Sequence, residues 1–581
     1  MDLVEIKETE VWDLYRRSVN YCRRMSMYSD TDKNYNFYNG NHWEGLIVKG
    51  IEPVQYNFIK PIVKYKVGTI NSNLWAINYS SENFENKEFR SYAAKVCELL
   101  NKRAKRIWEK DNLDKKIRDV SKDSAINDEG IMYVYWNTED EMPVNEVLNK
   151  NDVYYGNEND QEIQKQPYII VKQRMAVSEA QEFARANGVS EENVRLIIGD
   201  KDNLEEAGRL AREEKDDMVT LVTKFYKKDG TIHFAQATKY VDISEDKNTG
   251  YKYYPIAHMV WEEKKGSARG EGEVRHLIPN QLETNKTAMR RLITVKNTAY
   301  PQKVVNIEKI ANPSALNEVG AIIKTKGGMT VDDVAKVFAN IPPSQMSPDV
   351  KVLQEELIQS TRELAGAGDI ATGDVDPESA SGRAILAVQQ AAQQPLVEQL
   401  GALKSFVEDI ARIWLDMITV NAAEGINLEE EVTDPTTGEE YIQLIRVDKV
   451  TLNELKASVK VDITPKGVFD KYAQEMSIEN LLMNGLFSVQ RLPELKAYLE
   501  CLDDDASMPK LKIQEMIEKQ EKEQQRIAEI NAQAQMMEQR AMQFLMEDPD
   551  AQSSQMLEVM GGGVAPQGMT EVPTDDEAAM F

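Results

Sequence analysis

Four histidines, His42, His233, His258 and His276, are the only imidazoles in the 581-residue sequence, and no two lie closer than eighteen residues. Spacing that wide offers no zinc-binding pair on one helix and no nucleophile–base pair along one element. Each reads as a packing or surface histidine. The sequence also lacks G-x-x-x-x-G-K-[ST], H-E-x-x-H and G-x-S-x-G, the patterns that cradle phosphate, hold zinc or expose a serine nucleophile. Two acidic clusters, Asp374/Asp376 and Asp503/Asp504/Asp505, carry the oxygen ligands a hard cation prefers, without the full spacing of a calcium loop. They read as solvated loops. The stretch "KGSARGEGEVRH", Lys265 to His276, resembles a phosphate cradle only loosely, because it lacks the strict G-x-G-x-x-G order. No catalytic residue, metal or cofactor is expected, and the protein is not expected to be an enzyme.

Two features remain. Lys286, Arg290, Arg291 and Lys296 form a basic face on a helical stretch. Taken alone it is a solvated face; its functional reading is weak contact with phosphates, blind to sequence. The other is "AGAGDIATGDVDPESASGRAILAVQQAAQQ", Ala365 to Gln394. Its first half holds Asp369, Asp374, Asp376 and Glu378 with no basic residue, and Gly366, Gly368 and Gly373 supply backbone freedom. It then turns without a break into an apolar helical pattern.

The elements around these residues follow from periodicity. Glu5 to Tyr28 carries a helical stripe (Val11, Leu14, Tyr15, Val19, Cys22), and "NYNFYNGNHWEGL" after it reads as a loop with aromatic anchors. A helix entered through Lys60-Pro61 comes next, then another from Glu88 to Trp108 with Tyr92, Val96, Leu99, Leu100, Ala104, Ile107 and Trp108 on one face. "IMYVYWN" and "PYIIVKQRMAV" read as strands, Ser178 to Gln181 as a capping box, and Asp229-Gly230 as a hairpin turn. From Gly272 a helix is predicted with Val274, Leu277, Leu282, Asn285, Met289, Leu292 and Val295 on one stripe, beginning near Pro279 because an interior proline costs ~3 kcal/mol. Short strands and turns come after Pro301. Ser347-Pro348 should start the next helix, as cap and first position, and Gly366 should close it. Ser381 to about Val420 keeps a helical period, which would make a helix ~60 Å long kinked at Pro395. A hairpin around "TDPTTGEEY" and a strand at "ASVKVDI" come next, then helices from Phe469 to about Arg540 and a tail without apolar periodicity.

Composition sets the class. The chain is 41% apolar and 29% charged, and no apolar run approaches the ~20 residues of a membrane span. The acidic opening "MDLVEIKETEVWDLYRR" is unlike a signal peptide, so neither insertion nor secretion by that route is expected. Three distant cysteines, Cys22, Cys97 and Cys501, form neither a disulfide framework nor a metal motif, which suits a reducing cytoplasm. A formal charge of -27 repels polyanions, so the chain should not coat nucleic acid, although it can handle DNA without adhering to it.

Four stretches, in this order, resemble the portal proteins of tailed bacteriophages, the head-to-tail connectors. "YNFYNGNHWEG" with "VQYNFIKPIVKYKVG" is similar to their N-terminal pattern, here with Asn57 before the first apolar helix. "YPIAHMVWEEKKGSARGEGEVRHLIPNQLETNK" is similar to the strand, glycine turn and helix that lead into the stem, with Gly270, Gly272, Gln281 and Asn285. "STRELAGAGDI" resembles the end of the second stem helix. "SASGRAILAVQQAA" resembles the start of the long wing helix, with Ser381, Gly382, Ala384 and Ile385. The resemblance implies an α+β, mostly helical portal-protein fold, assembled as a ring, usually a dodecamer, around a channel for double-stranded DNA. It implies a wing (residues 1–272 and 381–466), stem helices (273–297 and 347–365), a clip (298–346), a tunnel loop (366–380), a helical crown (467–545) and a disordered tail (546–581). The implied partners are the terminase large subunit, the head–tail adaptor, and the major capsid and scaffolding proteins, at the capsid portal vertex after assembly in the host cytoplasm. The tunnel-loop carboxylates would then lie near passing DNA, and Lys286, Arg290, Arg291 and Lys296 would be the channel's basic residues. A virion scaffold or assembly protein without a channel is the second reading; a nuclease or NTPase, lacking every motif, is the third.

Overall fold

The computed structural model describes residues 7–44, 53–80, 87–201, 217–299, 303–318, 320–327, 338–340, 346–367, 394–421, 426–433, 440–447, 460–463 and 466–467, with scattered positions between 526 and 539. The chain divides after Val468 into two compact units, and the candidate site with its scaffold belongs to the first. Most of the expected crown, the expected tail, most of the expected tunnel loop and the start of the expected long wing helix lie outside the described residues.

Helix α1 (Glu10–Arg24) begins where Thr9 accepts a hydrogen bond from the Trp12 amide, with acidic residues in its first turn and arginines in its last. It does not continue to Tyr28. Ser26 takes a left-handed conformation and starts α2 (Met27–Asn39), so the Asn- and Tyr-rich segment expected as a loop is helical up to Gly40, whose φ of 90° stops it. The stripe Tyr28, Thr31, Asn34, Phe37 and Tyr38 is buried, and tertiary packing overrides the weak helix propensity of asparagine there. Next along the chain are helices α3 (Ile59–Ile70), α4 (Lys87–Lys110) and α5 (Leu113–Ile126), with short strands β1 (Asn73–Leu74) and β2 (Ile77–Ser80) between the first two. Pro61 sits in the first turn of α3, as expected, and Asn57 Oδ1 accepts from the Lys60 amide at that turn. On α4 the predicted face is buried except Tyr92, which is exposed.

Two antiparallel sheets come next. Strands β3 (Glu129–Asn137), β4 (Met142–Leu148) and β10 (Ile256–Val260) form one, in the order β10-β3-β4. The other, in chain order, contains β5 (Val153–Tyr155), β6 (Tyr168–Ala176), β7 (Met218–Lys228), β8 (Thr231–Ala237) and β9 (Asp242–Asn248). Asp229 and Gly230 both have positive φ, 52° and 79°, the primed turn that the β7–β8 twist requires. Between β6 and β7 lie α6 (Val177–Ala186) and α7 (Glu191–Val194). The capping box expected at Ser178 is absent: the helix starts at Val177, two residues earlier than a Ser178 cap implies, with no side-chain cap, and Gln181 instead donates to the Ile197 carbonyl.

Helix α8 (Glu273–Ala299) runs straight through Pro279, contrary to the expected start near it. The short strands β11 (Lys303–Val305) and β12 (Phe338–Asn340) pair with each other, and α9 (Asp349–Leu364) comes after them. Its start is offset by one residue from the prediction: Pro348 is the cap position, and Ser347 Oγ accepts from the Asp349 amide at 3.4 Å. Helix α10 (Val397–Asn421) is preceded by a turn of 3-10 helix at Gln394–Leu396 that contains Pro395, and the part of the expected long helix before Gln394 lies outside the described residues. The expected hairpin is β13 (Ile426–Thr433) with β14 (Glu440–Val447). Strands β15 (Lys460–Ile463) and β16 (Lys466–Gly467) return to pair with β2 and β1.

The largest core joins α3, α4 and α5 to the three-stranded sheet, the first half of α8 and most of α10. Trp261, Trp414 and Phe406 are completely buried in it. Burial of each such side chain is worth ~2–3 kcal/mol, enough to make this core a rigid platform for α8. No described helix is long and apolar enough to cross a membrane.

Candidate functional site

The described residues among those singled out by sequence lie on α8 and, for Gly366, directly after α9, so this helix pair is the frame of the site. Two polar contacts join the helices: Asn280 donates to Thr361 Oγ1 at 3.0 Å, and Arg291 donates to Gln354 Oε1 at 2.7 Å. The basic residues therefore do not act as one face. Arg291 is half-buried and turned toward α9, while Lys286 and Arg290 are exposed and share Glu283 at 3.7 and 2.9 Å. Lys296 is exposed near the C-terminal end of α8, beside exposed Val295, where the predicted apolar stripe has left the core.

The first half of α8 is held by a buried polar knot built from the resemblance residues. Gln281 and Asn285 are both fully buried. Gln281 Oε1 accepts from the Phe58 amide at 3.1 Å, and its Nε2 donates to the Tyr56 carbonyl and to Asn285 Oδ1. Asn285 Oδ1 also accepts from the Tyr56 amide at 3.0 Å, and its Nδ2 donates to His42 Nδ1 at 2.8 Å. Asn57 Nδ2 donates to the Tyr38 carbonyl. Every one of these amides is satisfied, which is what makes so polar a contact tolerable in the interior. From sequence His42 reads only as a packing histidine; its place in "NGNHWEG", beside the motif that carries the resemblance, is the available signal.

The N-terminus of α8 has a second anchor. Glu273 pairs with Lys66 of α3 at 2.7 Å, both nearly buried, and accepts from Trp261 Nε1. The preceding turn must be glycine-rich. A Cβ on Gly270 would lie 2.1 Å from a Val260 methyl carbon and 2.2 Å from the Glu262 carbonyl oxygen, and one on Gly272 would lie 2.2 Å from the Asn127 carbonyl oxygen. Arg269, just before these glycines, is buried and pairs with Glu129 and Glu158, donates to the Val153 carbonyl at 2.9 Å, and lies over the Tyr155 ring. Burial would raise the Glu129 carboxyl, but Arg269, helped by His258 and Lys150, outweighs it and holds that carboxyl below the usual range. The loosely phosphate-like stretch is thus filled by the protein's own carboxylates.

Among the described residues, a cavity of about 450 Å³ is lined by His258, Glu398, Ser405 and Asp409 among others. Its histidine is engaged with Glu129 at 2.8 Å and Asp409 with Arg412 at 2.8 Å, which leaves no nucleophile–base pair there.

At its other end α9 closes as predicted. Gly366, at φ 67°, donates to the Glu363 carbonyl and Ala367 donates to that of Arg362, the paired bonds of a Schellman cap. Ala365 and Ala367 are buried in the main core. Gly368, Asp369, Gly373, Asp374, Asp376, Glu378, Ser381, Gly382, Ala384 and Ile385 lie outside the described residues. What the described geometry offers is a mechanical element: two long helices, locked at one end and bearing apolar side chains toward the other, with no assembled chemistry.

No curated protein matches the chain. The family model described as phage P22-like portal protein matches residues 15–560, a span that takes in α8, α9, the segment between them and the whole polar knot. On that match, the chain belongs to the P22-like portal proteins of phages.

Proposed function

We propose that this portal protein forms a ring-shaped channel at one capsid vertex, through which double-stranded DNA is packaged by a separate terminase ATPase, retained and later ejected. The observation that carries the ring is the apolar surface left open on the helix pair and the segment between. Val295, Val352, Leu353 and Leu364 are 64%, 60%, 51% and 85% exposed, and Val304, Ile307 and Ile322 add to them. Side chains of this kind on paired long helices suit neighbouring copies of the chain. In this reading α8 and α9 are the stem, residues 298–346 the clip that meets the terminase large subunit and then the head–tail adaptor, and residues 366–380 the tunnel loop. The excess of acid, -27 over the chain, keeps phosphates from adhering to a wall they must slide past. Lys286 and Arg290, already shared with Glu283, would offer DNA only weak, salt-sensitive contact.

Negative-stain microscopy of the purified chain tests the ring directly. Closed rings with a central hole are expected; monomers or filaments would favour a scaffold protein without a channel. Deleting residues 368–378 tests the loop: changed genome length or retention in particles is expected, and unchanged packaging would remove the tunnel-loop role while leaving the ring intact.

A further inference from the structure

The polar knot around Asn285 has a fixed direction. The amides of Tyr56 and Phe58 can only donate, and the carbonyls of Phe37 and Tyr56 can only accept. Asn285 must therefore turn Oδ1 to the Tyr56 amide and Nδ2 to His42 Nδ1, and flipping it would set donor against donor. His42 in turn gives its Nε2 hydrogen to the Phe37 carbonyl at 3.0 Å, which leaves Nδ1 as a bare acceptor at 2.8 Å from the Asn285 nitrogen. Only one tautomer of the neutral ring fits.

We propose that His42 is an acid-released latch on α8: a proton on Nδ1 faces the Asn285 amide donor, breaks that contact, and loosens the tie between α8 and residues 54–58. The device is a property of the folded chain and holds whether or not the ring reading does. Burial already pushes the imidazole below its ordinary range, in the direction the geometry requires. Apart from the Phe37 carbonyl, which already accepts from Nε2 in the neutral ring and only partly offsets the effect of burial, the surrounding elements offer no charged partner for an imidazolium. From α2 the ring meets Phe37, stacked at 5.0 Å, and the ring of nearby Tyr38 lies under Lys60 and Lys122. On α8, Glu283 is taken by Lys286 and Arg290, and Arg291 is turned to Gln354. In the turn that carries His42, Glu44 accepts from Asn36, and from residues 54–58 the knot uses the Tyr56 backbone. Among the described residues no carboxylate lies within ion-pair distance of the ring.

The sign comes from linkage. A histidine whose folded pKa is lowered binds its proton more readily once the site opens, so the latch is fully closed above about pH 7.5 and weakens as pH falls through ~6.5, by at most ~tenfold in the opening equilibrium per pH unit. Hydrogen exchange of the full chain at pH 7.5 and 5.5, corrected for intrinsic rates, reads this on peptides covering residues 54–60 and 277–288. The wild type should lose protection there on acidification. His42→Asn and His42→Gln should show no such pH dependence, whatever their baseline, and Asn285→Asp should reverse it by giving the protonated ring an acceptor. Unchanged wild-type protection at pH 5.5 would sink the latch, as would an equal acid-induced loss in all the variants.

Discussion

Arg269 shows how much a single side chain can hold in this fold. It neutralises two carboxylates in the interior, Glu129 and Glu158, and caps the Val153 carbonyl. Removing it leaves the buried Glu129 charge with only His258 and Tyr155 beside it and takes the guanidinium from Glu158, so Arg269→Met should cost ~3–5 kcal/mol, read as a lowered urea midpoint at neutral pH. The same pairing predicts an acid response distinct from that of His42. Glu129 has a depressed folded pKa, so its stabilisation is present above the usual carboxylate range and is lost as pH falls through the folded value. Glu129→Gln should therefore flatten the loss of stability below about pH 4.5; a slope identical to that of the wild type would show that another carboxylate governs acid unfolding. Gly270 and Gly272 are legible as important from their motif, but the reason is not. The constraint is close backbone approach by Glu262 and Asn127, which no local pattern encodes, and Gly272→Ala should give insoluble or strongly destabilised protein.

At the scale of elements, local chemistry is readable where it alone decides the outcome. The Asp229–Gly230 turn and the Gly366 cap follow from positive φ, and both are where the sequence puts them. Alanine at 366 should cost ~1 kcal/mol and fray the last turn of α9, visible as faster exchange of the Ala365 to Ala367 amides. Where packing competes with local preference, the sequence pattern misleads. Asparagines and tyrosines at 34–39 look like a loop because the buried stripe that makes them helical depends on partners far along the chain. Ser178 looks like a cap, but Gln181 finds a better acceptor at Ile197. Pro279 looks like a boundary, yet α8 is anchored on both sides of it, at Glu273 and at Gln281. That anchoring offsets the proline penalty without abolishing it. Because Pro279 is exposed, Pro279→Ala should raise stability by about 1–3 kcal/mol and slow exchange across residues 275–283.

For the whole molecule, the family match places the chain at a phage capsid vertex; the missing motifs already turn attention away from enzymes, and the acid excess from proteins that coat nucleic acid. Self-association is the property most open to test at this scale. Glutamates in place of Val352 and Leu353 leave the described core untouched, so circular dichroism should be unchanged while light scattering shows the loss of large assemblies. Retention of rings by that double variant would move the subunit contact elsewhere. Long-range strand pairing is hidden from sequence, because β2 and β15 carry ordinary strand patterns and nothing local says they meet. Their meeting has a consequence in time. Ser80 faces Lys460 and Asn73 faces Gly467, partners separated by most of the polypeptide. At ribosomal speeds of ~5–20 residues per second, the first strand waits tens of seconds for the second to be made. A nascent chain therefore carries β1 and β2 without their partner strands for most of its synthesis, sheltered on the α4 side alone, and these pairings close only after translation has passed residue 467.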